Sequence, residues 1–182
     1  MFLHPLSIRQ GAEGTPAPFR YGEAHIALRA GVRPADPDNV VLPFRKLRMG
    51  LYATRDYVSR HGRPEGEHNF AGHRFVGPAS MTPRAPFLAW MIRNVPAEAI
   101  TVRSDQAPIL RDAILSGLGI GFLHLPLTQG RDDLVEILKP RPDWVVGSWI
   151  VTHVDLHRTP KVQAFLKALK DIKSRSDTQI IV

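Results

Sequence analysis

Short apolar runs alternate with capped helical segments along almost the whole of this 182-residue chain, and that alternation limits its fold more than any other feature. Repeated strand-helix units bury their apolar faces by laying helices on a sheet, so the chain reads as α/β with largely parallel sheets. Strand candidates are residues 6–9, 25–29, 73–76, 100–103, 120–125 and 148–153. Residues 40–44 and 48–53 read together as one long bent strand. The run 120–125 is almost wholly apolar, the pattern of a strand covered on both faces.

Helix signals fall between these runs. Thr54 can cap a helix over residues 55–61, with Gly62 as its stop. Phe87, Leu88, Met91 and Ile92 recur at helical spacing within residues 86–93. Ser104 or Asp105 is expected to cap a helix that runs to Ser116 and stops at Gly117. Pro108 falls in its first turn, where a missing N–H is tolerated. The last helix is the best defined. Thr159 is its expected N-cap and Pro160 its first residue. Val162, Phe165, Leu166, Leu169 and Ile172 then form one apolar stripe, which must pack on a sheet. The tail after it is expected to fray.

Open α/β sheets take ligands at the carboxyl ends of their strands. Those ends are Gln10, Gly11 and Ala12; Arg29, Ala30 and Gly31; Gly77, Pro78, Ala79 and Ser80; Arg103, Ser104 and Asp105; and His124 and Leu125. The third strand-to-helix junction, Arg103-Ser104-Asp105, is the best candidate. Free N–H groups and the positive helix end would meet a small anion there, unless the Asp105 carboxylate itself occupies the cap. Arg29 reads either as a charge in the cleft or as an ion-pair partner that holds the fold.

Other chemistry is poorly supported. Gly117, Gly119 and Gly121 invite a dinucleotide fingerprint, but that motif follows a strand and opens a helix. Here the order is reversed, so Gly117 is a helix C-cap and the other two let helix and strand approach closely. His153, Asp155 and His157 alternate as metal ligands on one strand face would. The segment runs from a strand into a helix cap, however, and turn hydrogen bonds explain it better. No G-x-S-x-G elbow and no phosphate loop occurs, so an enzyme is not expected and no motif asks for a cofactor. With no cysteine, disulfides and thiolate metal sites are excluded. No apolar run approaches the roughly 20 residues of a membrane helix, and the first residues lack a signal-peptide layout. A cytoplasmic location is expected. The formal charge of +7 is spread without a basic run or stripe, as on a solvated surface rather than a nucleic-acid face.

Several phrases resemble the effector-binding domain of LysR-type transcription regulators. They are Gly22-Glu23-Ala24-His25-Ile26-Ala27-Leu28-Arg29; the stretch RMGLYATRDYVSRHGRP over residues 48–64; Gly72-His73-Arg74-Phe75-Val76; AILSGLGIGFLHL over 113–125; and SWIVTHVDLHRTPKVQAFL over 148–166. Each is weak alone. Their order and spacing are specific, and they cover roughly residues 1–172. The resemblance implies a two-lobed fold of the periplasmic-binding-protein type (type II), with lobe I incomplete at its N-terminus. Lobe I would hold residues 1–46 and 149–182, and lobe II residues 47–148, joined by two crossing strands.

The same resemblance implies a small-molecule effector in the cleft, held by Gln10, Gly11, Ala12, Arg29, Gly77, Pro78, Ser80, Arg103, Ser104, Asp105 and His124. Arg29, Arg103 and a helix N-terminus bias this toward a carboxylate. DNA would be reached only through a helix-turn-helix domain, which this sequence lacks. A homodimer using residues 84–93 is implied, with its interface incomplete. His25 stands where the family usually has Asp. The family's first strand, central in lobe I, has no counterpart here, so the two strands beside it are expected to lose their neighbour. The rival readings are an exported solute-binding protein of the same fold and a metal enzyme using His153, Asp155 and His157.

Overall fold

The protein is seen in a computed structural model that describes residues 8–11, 25–66 and 69–178. Its elements are β1 (Ile8–Gly11), β2 (Ile26–Ala30), β3 (Asn39–Thr54), α1 (Arg55–His61), β4 (Phe75–Gly77), α2 (Pro86–Asn94), β5 (Ile100–Arg103), α3 (Ala107–Leu115), β6 (Gly121–His124), β7 (Leu134–Leu138), β8 (Val145–His153), α4 (Val154–His157) and α5 (Pro160–Thr178). One sheet runs β1-β2-β8-β3-β6, with β7 also paired to β3. A second, of β4 and β5, is tied to the first by the parallel bridge Phe75–Ile120.

The long strand expected over residues 40–53 is β3, and its bend has a physical cause. Pro43 has no N–H to give to a ladder, so prolines inside sheets sit at edges or bulges. Against β8, Pro43 pairs with Trp149 and Lys46 with Gly147, which leaves one extra residue on β3. This is a β-bulge. The Ser148 side chain stands in for the missing ladder. Its Oγ accepts from the Arg45 N–H at 3.1 Å and donates to the Arg45 carbonyl at 2.9 Å.

β3 pairs with β8 up to Arg48, on both sides of the bulge; from Met49 on it pairs with β6 and then also β7, and it is buried from Gly50 to Thr54. Period-two alternation then sorts its side chains to two faces. Leu51 and Ala53 join Phe75, Phe122, Trp90 and Trp144 in one core. Tyr52 joins Val76, Ile114 and Leu123 in a second, on the opposite face. The first holds an aromatic cluster, with Trp144 at 5.0 Å from Trp90 and 4.8 Å from Phe122, both edge-on. A separate core forms at the other end, where Val162 and Leu166 of α5 meet Ile26 and Ile150. Phe165 and Leu169 of the expected stripe pack against it; the Ile172 side chain lies outside the described residues.

Local signals explain most element ends. Thr54 Oγ1 accepts from the Tyr57 N–H, and Gly62 closes α1 at positive φ, both as expected. Gly117 ends α3 as expected: its N–H reaches the Ile114 carbonyl and that of Leu118 the Ala113 carbonyl, a Schellman pattern. The close approaches at the next glycines are also present. A Cβ on Gly119 would lie 2.7 Å from the Arg74 carbonyl oxygen, and one on Gly121 2.5 Å from Ile114 Cδ1.

Four expectations change. The sheets are not largely parallel: β1–β2 and β4–β5 are, but β3 and β8 pair antiparallel with each other and with β2, β6 and β7. The reason is that β3 and β8 are long and run out and back through the molecule. Second, two strands were expected to lose a neighbour, yet the first two strands of the chain pair with each other. Ile8 to Gly11 register directly against Ile26 to Arg29 in parallel. Third, β7 and the short helix α4 were not foreseen, and β8 starts at Val145 rather than Ser148. Fourth, α5 stays helical to Thr178, through part of the tail expected to fray.

Candidate functional site

Three strand ends share one edge of the sheets. β4 and β5 run parallel, and Val76 N–H to Ile120 O with Ile120 N–H to Arg74 O, both 2.8 Å, sets β6 parallel to β4. Gly77, Arg103 and His124 therefore end side by side. Gly77 packs closely, since a Cβ would lie 2.6 Å from Met91 Sδ and 3.0 Å from Ile100 Cγ2.

The loops after β4 and β5 are stitched together. Ser104 N–H donates to the Gly77 carbonyl at 3.1 Å. Asp105 Oδ1 accepts from the backbone N–H of Ala79 (3.1 Å) and of Ser80 (3.0 Å). The Arg103 guanidinium donates to the Ala97 carbonyl at 2.6 Å and the Pro78 carbonyl at 3.4 Å. Gly77, Pro78, Ser80, Arg103, Ser104 and Asp105 are thus one cluster.

Its wiring corrects the cap expected at α3. That helix begins at Ala107 with Gln106 as N-cap and no side-chain cap bond. Asp105 is spent on the neighbouring loop, and Ser104 Oγ accepts from the Gln106 N–H just before the helix. Asp105→Ala should therefore lower stability by about 1 kcal/mol and speed amide exchange at Ala79 and Ser80. Unchanged exchange at both would remove this role.

Most of the other expected residues lie on β1 and β2, of which β2 borders β8. Gln10 and Gly11 register with Leu28 and Arg29, and Arg29 registers with Trp149. Ala12 lies outside the described residues. Just past β2, Gly31 takes φ 107°, a region open to glycine. Its N–H reaches the Gly147 carbonyl at 2.9 Å, and its own carbonyl accepts from Trp149 Nε1 at 3.0 Å. The carboxyl end of β2 thus arrives at the β3–β8 bulge from one side, with that of β1 on its outer flank.

His124 arrives from the other side, registered with Met49 just beyond the bulge. Its ring is half-buried. Burial, and then the nearby Arg45 charge, hold its pKa below the ordinary histidine value. Sequence reasoning passed over Arg45 and Ser148; Pro43 is the signal that could have found them.

The remaining motifs resolve locally. His153 Nδ1 accepts from the Asp155 N–H at 3.3 Å, and His157 Nδ1 lies 3.0 Å from Thr152 Oγ1. No group of three or more metal-ligating side chains occurs among the described residues. His25 Nε2 lies 3.3 Å from Lys161 Nζ. A cavity of about 710 Å3 lies at the far end of β3, against Thr54, Asp56, Ser116, Gly117 and Asp133; none of the expected site residues lines it. No helix among the described residues is long and apolar enough to cross a membrane.

The profile of the LysR substrate binding domain matches residues 6–173. No curated protein matches the chain. Among solved structures, the regulatory domain of CrgA, a LysR-type regulator from Neisseria meningitidis, is 25% identical with a TM-score of 0.62, over 80% of this chain and 74% of that one. The effector domain of the regulator AmpR of Pseudomonas aeruginosa is similar at 12% identity and TM-score 0.62, over 87% and 77%. Full-length AphB, a virulence activator of Vibrio cholerae, is similar at 15% identity and TM-score 0.60, over 82% of this chain; the match spans about half of AphB, 52%. With nearly its whole length matched, this chain belongs to the LysR substrate-binding domain family, the effector-binding regulatory domains of LysR-type regulators, with their type II periplasmic-binding-protein-like fold.

Proposed function

We propose that the chain senses a small molecule held where its strand ends converge, and that binding rearranges two lobes about the β3–β8 crossing. Lobe I comprises residues 1–46 and 149–182, and lobe II residues 47–148. The observation that carries this reading is the convergence itself. Strand ends from both sides are registered onto a few residues flanking one bulge. The separate hydrophobic cores on either side support it, since each can move as a unit.

The ligand is held between Gln10, Gly11, Ala12 and Arg29 on one side and Gly77, Pro78, Ser80, Arg103, Ser104, Asp105 and His124 on the other. A small carboxylate suits the site best, because Arg29 and Arg103 supply positive charge. Ligand binding shifts the populations of open and closed arrangements. The chain works in the cytoplasm as a regulatory module rather than an enzyme, within a dimeric regulator that reads DNA through a separate helix-turn-helix domain.

A thermal-shift screen of small metabolites tests this, with hits located by backbone NMR. At about 100 times its dissociation constant a ligand stabilises by roughly 2.7 kcal/mol. The expected result is a hit that moves the amides of residues 29–31, 77–80 and 103–105 together. Hits confined to the cavity beside Gly117, or tight sequence-specific DNA binding by this chain alone, would overturn the reading.

A further inference from the structure

The Asp105 carboxylate occupies a place shaped for an anion. Its Oδ1 accepts from two consecutive backbone N–H groups, Ala79 at 3.1 Å and Ser80 at 3.0 Å. Successive N–H groups aimed at one point form a nest, a backbone cradle for anions. These donors are reinforced from behind. Arg103 Nη1 donates to the Pro78 carbonyl at 3.4 Å, and that carbonyl shares a peptide group with the Ala79 N–H. A cation on the oxygen side polarises the group and strengthens the donor on the other. The nest lies on the edge where Gly77 and Arg103 end side by side, and solvent reaches it, since Ala79 and Asp105 are both exposed. Asp105 has no ion-pair partner among the described residues, so these two N–H groups are what holds its carboxylate.

We propose that Asp105 is a resident stand-in for the effector's carboxylate, and that an arriving carboxylate displaces it from the Ala79 and Ser80 N–H groups. The proposal rests on the site reading above and adds to it a competitor within the chain. In the free protein the tethered side chain fills the nest and ties the loop after β4 to the loop after β5. In the bound protein the ligand fills the nest and that tie is released, so occupancy changes how the two loops are joined. Competition also sets affinity. A site open only in the molecules whose Asp105 has swung out binds more weakly by that fraction. A hydrogen-bonded tie of ordinary net strength leaves the nest open in roughly one molecule in six, which weakens carboxylate binding about sixfold. Only a group that outcompetes a tethered carboxylate enters, which selects an anion over a neutral carbonyl.

The test uses the whole chain and acetate as probe, titrated against chloride of equal ionic strength, which screens equally. NMR follows the Ala79 and Ser80 amides in the parent, in Asp105→Ala and in Asp105→Asn, with circular dichroism to check each fold. In Asp105→Ala, acetate is expected to return both amides toward their parent shifts and to slow their exchange again. Its apparent affinity there should be about sixfold higher than in the parent. Asp105→Asn loses the charge but keeps an acceptor oxygen on the nest, so its gain should be clearly smaller. In the parent, acetate should move the Asp105 carboxyl carbon resonance together with the two amides. Four outcomes overturn the proposal: amides in Asp105→Ala that ignore acetate, an affinity no higher than the parent's, an equal gain in Asp105→Asn, or a stationary Asp105 carboxyl in the parent. An equal gain would trace the effect to lost negative charge rather than to an emptied nest.

The two readings separate experimentally. A screened carboxylate that moves residues 29–31, 77–80 and 103–105 but binds Asp105→Ala no better than the parent leaves the site reading standing and removes the competition. Acetate rescue at Ala79 and Ser80 together with screen hits only beside Gly117 does the reverse. For a carboxylate hit in the cleft, Asp105→Ala should bind about sixfold tighter than the parent. The primary amide of the same compound should gain far less.

Discussion

Trp144→Ala is expected to lower the unfolding free energy by about 3–5 kcal/mol, a fall in Tm on the order of 10 °C for a chain of this length. Trp144 is fully buried. Its ring is wedged edge-on between Trp90 and Phe122, and the Arg141 guanidinium carbon lies 5.0 Å from its centroid. Truncation leaves a cavity that two rigid aromatic neighbours cannot collapse into, which places the cost at the upper end of large-to-small changes.

Trp144→Phe should behave very differently. The indole Nε1 is buried with no hydrogen-bond partner, so phenylalanine removes an unsatisfied donor along with some volume. Those terms oppose each other, and the net cost should stay below about 1.5 kcal/mol. Urea unfolding followed by circular dichroism measures both variants. Equal costs for Ala and Phe would show that packing around the ring contributes little.

Gly119→Ala is expected to cost about 3 kcal/mol, although it adds a single methyl group. The new Cβ would sit 2.7 Å from the Arg74 carbonyl oxygen, 3.0 Å from its carbon and 3.3 Å from the Phe75 carbonyl carbon. All three atoms are backbone, so no side chain can swing aside. Relief requires β4 to move off β6, which breaks the two 2.8 Å hydrogen bonds between Arg74, Val76 and Ile120 and disturbs the edge that carries Gly77. Overpacking of this kind costs roughly 1–3 kcal/mol, and the backbone contacts put it at the top of that range.

Gly130→Ala is the matched control. Gly130 has φ 70° and open space around its Cβ direction, so only backbone strain of about 1–2 kcal/mol applies. Faster amide exchange at Val76 in the first variant alone would locate the damage. If the two variants lose the same stability, the close approach at Gly119 is wrong.

The parts of this architecture written in local chemistry were legible in the sequence. Thr54 and Gly62 bound α1 where expected, and Gly117 ends α3, because caps and stops act over a few residues. The apolar stripe of α5 finds its core for the same reason. The family assignment followed from several such local phrases in order.

What escaped was set by distant partners. Leu134–Leu138 carries Glu136 in a short apolar run, and nothing local says that it will pair with Tyr52 and accept a hydrogen bond from that hydroxyl at 3.1 Å. The parallel bias failed because alternation of strands and helices says nothing about how far β3 and β8 run. Asp105 illustrates the limit inside the site. Its position before a helix fits a cap, yet its carboxylate bonds to Ala79 and Ser80, 26 and 25 residues earlier. Arg45 was passed over because its neighbours looked like a break between two strands. The break is where one residue was added to a continuous strand.

The sixteen unbroken residues of β3 make folding all-or-none. Its first half borrows ladder partners from β8 beside α5, and its second half from β6 and β7 among the aromatic side chains. Melting either end strips hydrogen bonds from a strand whose other end is still packed, so damage spreads along a shared backbone. A nick between Phe44 and Arg45 would turn one cooperative unit into two fragments, each holding half of a strand that neither can complete alone.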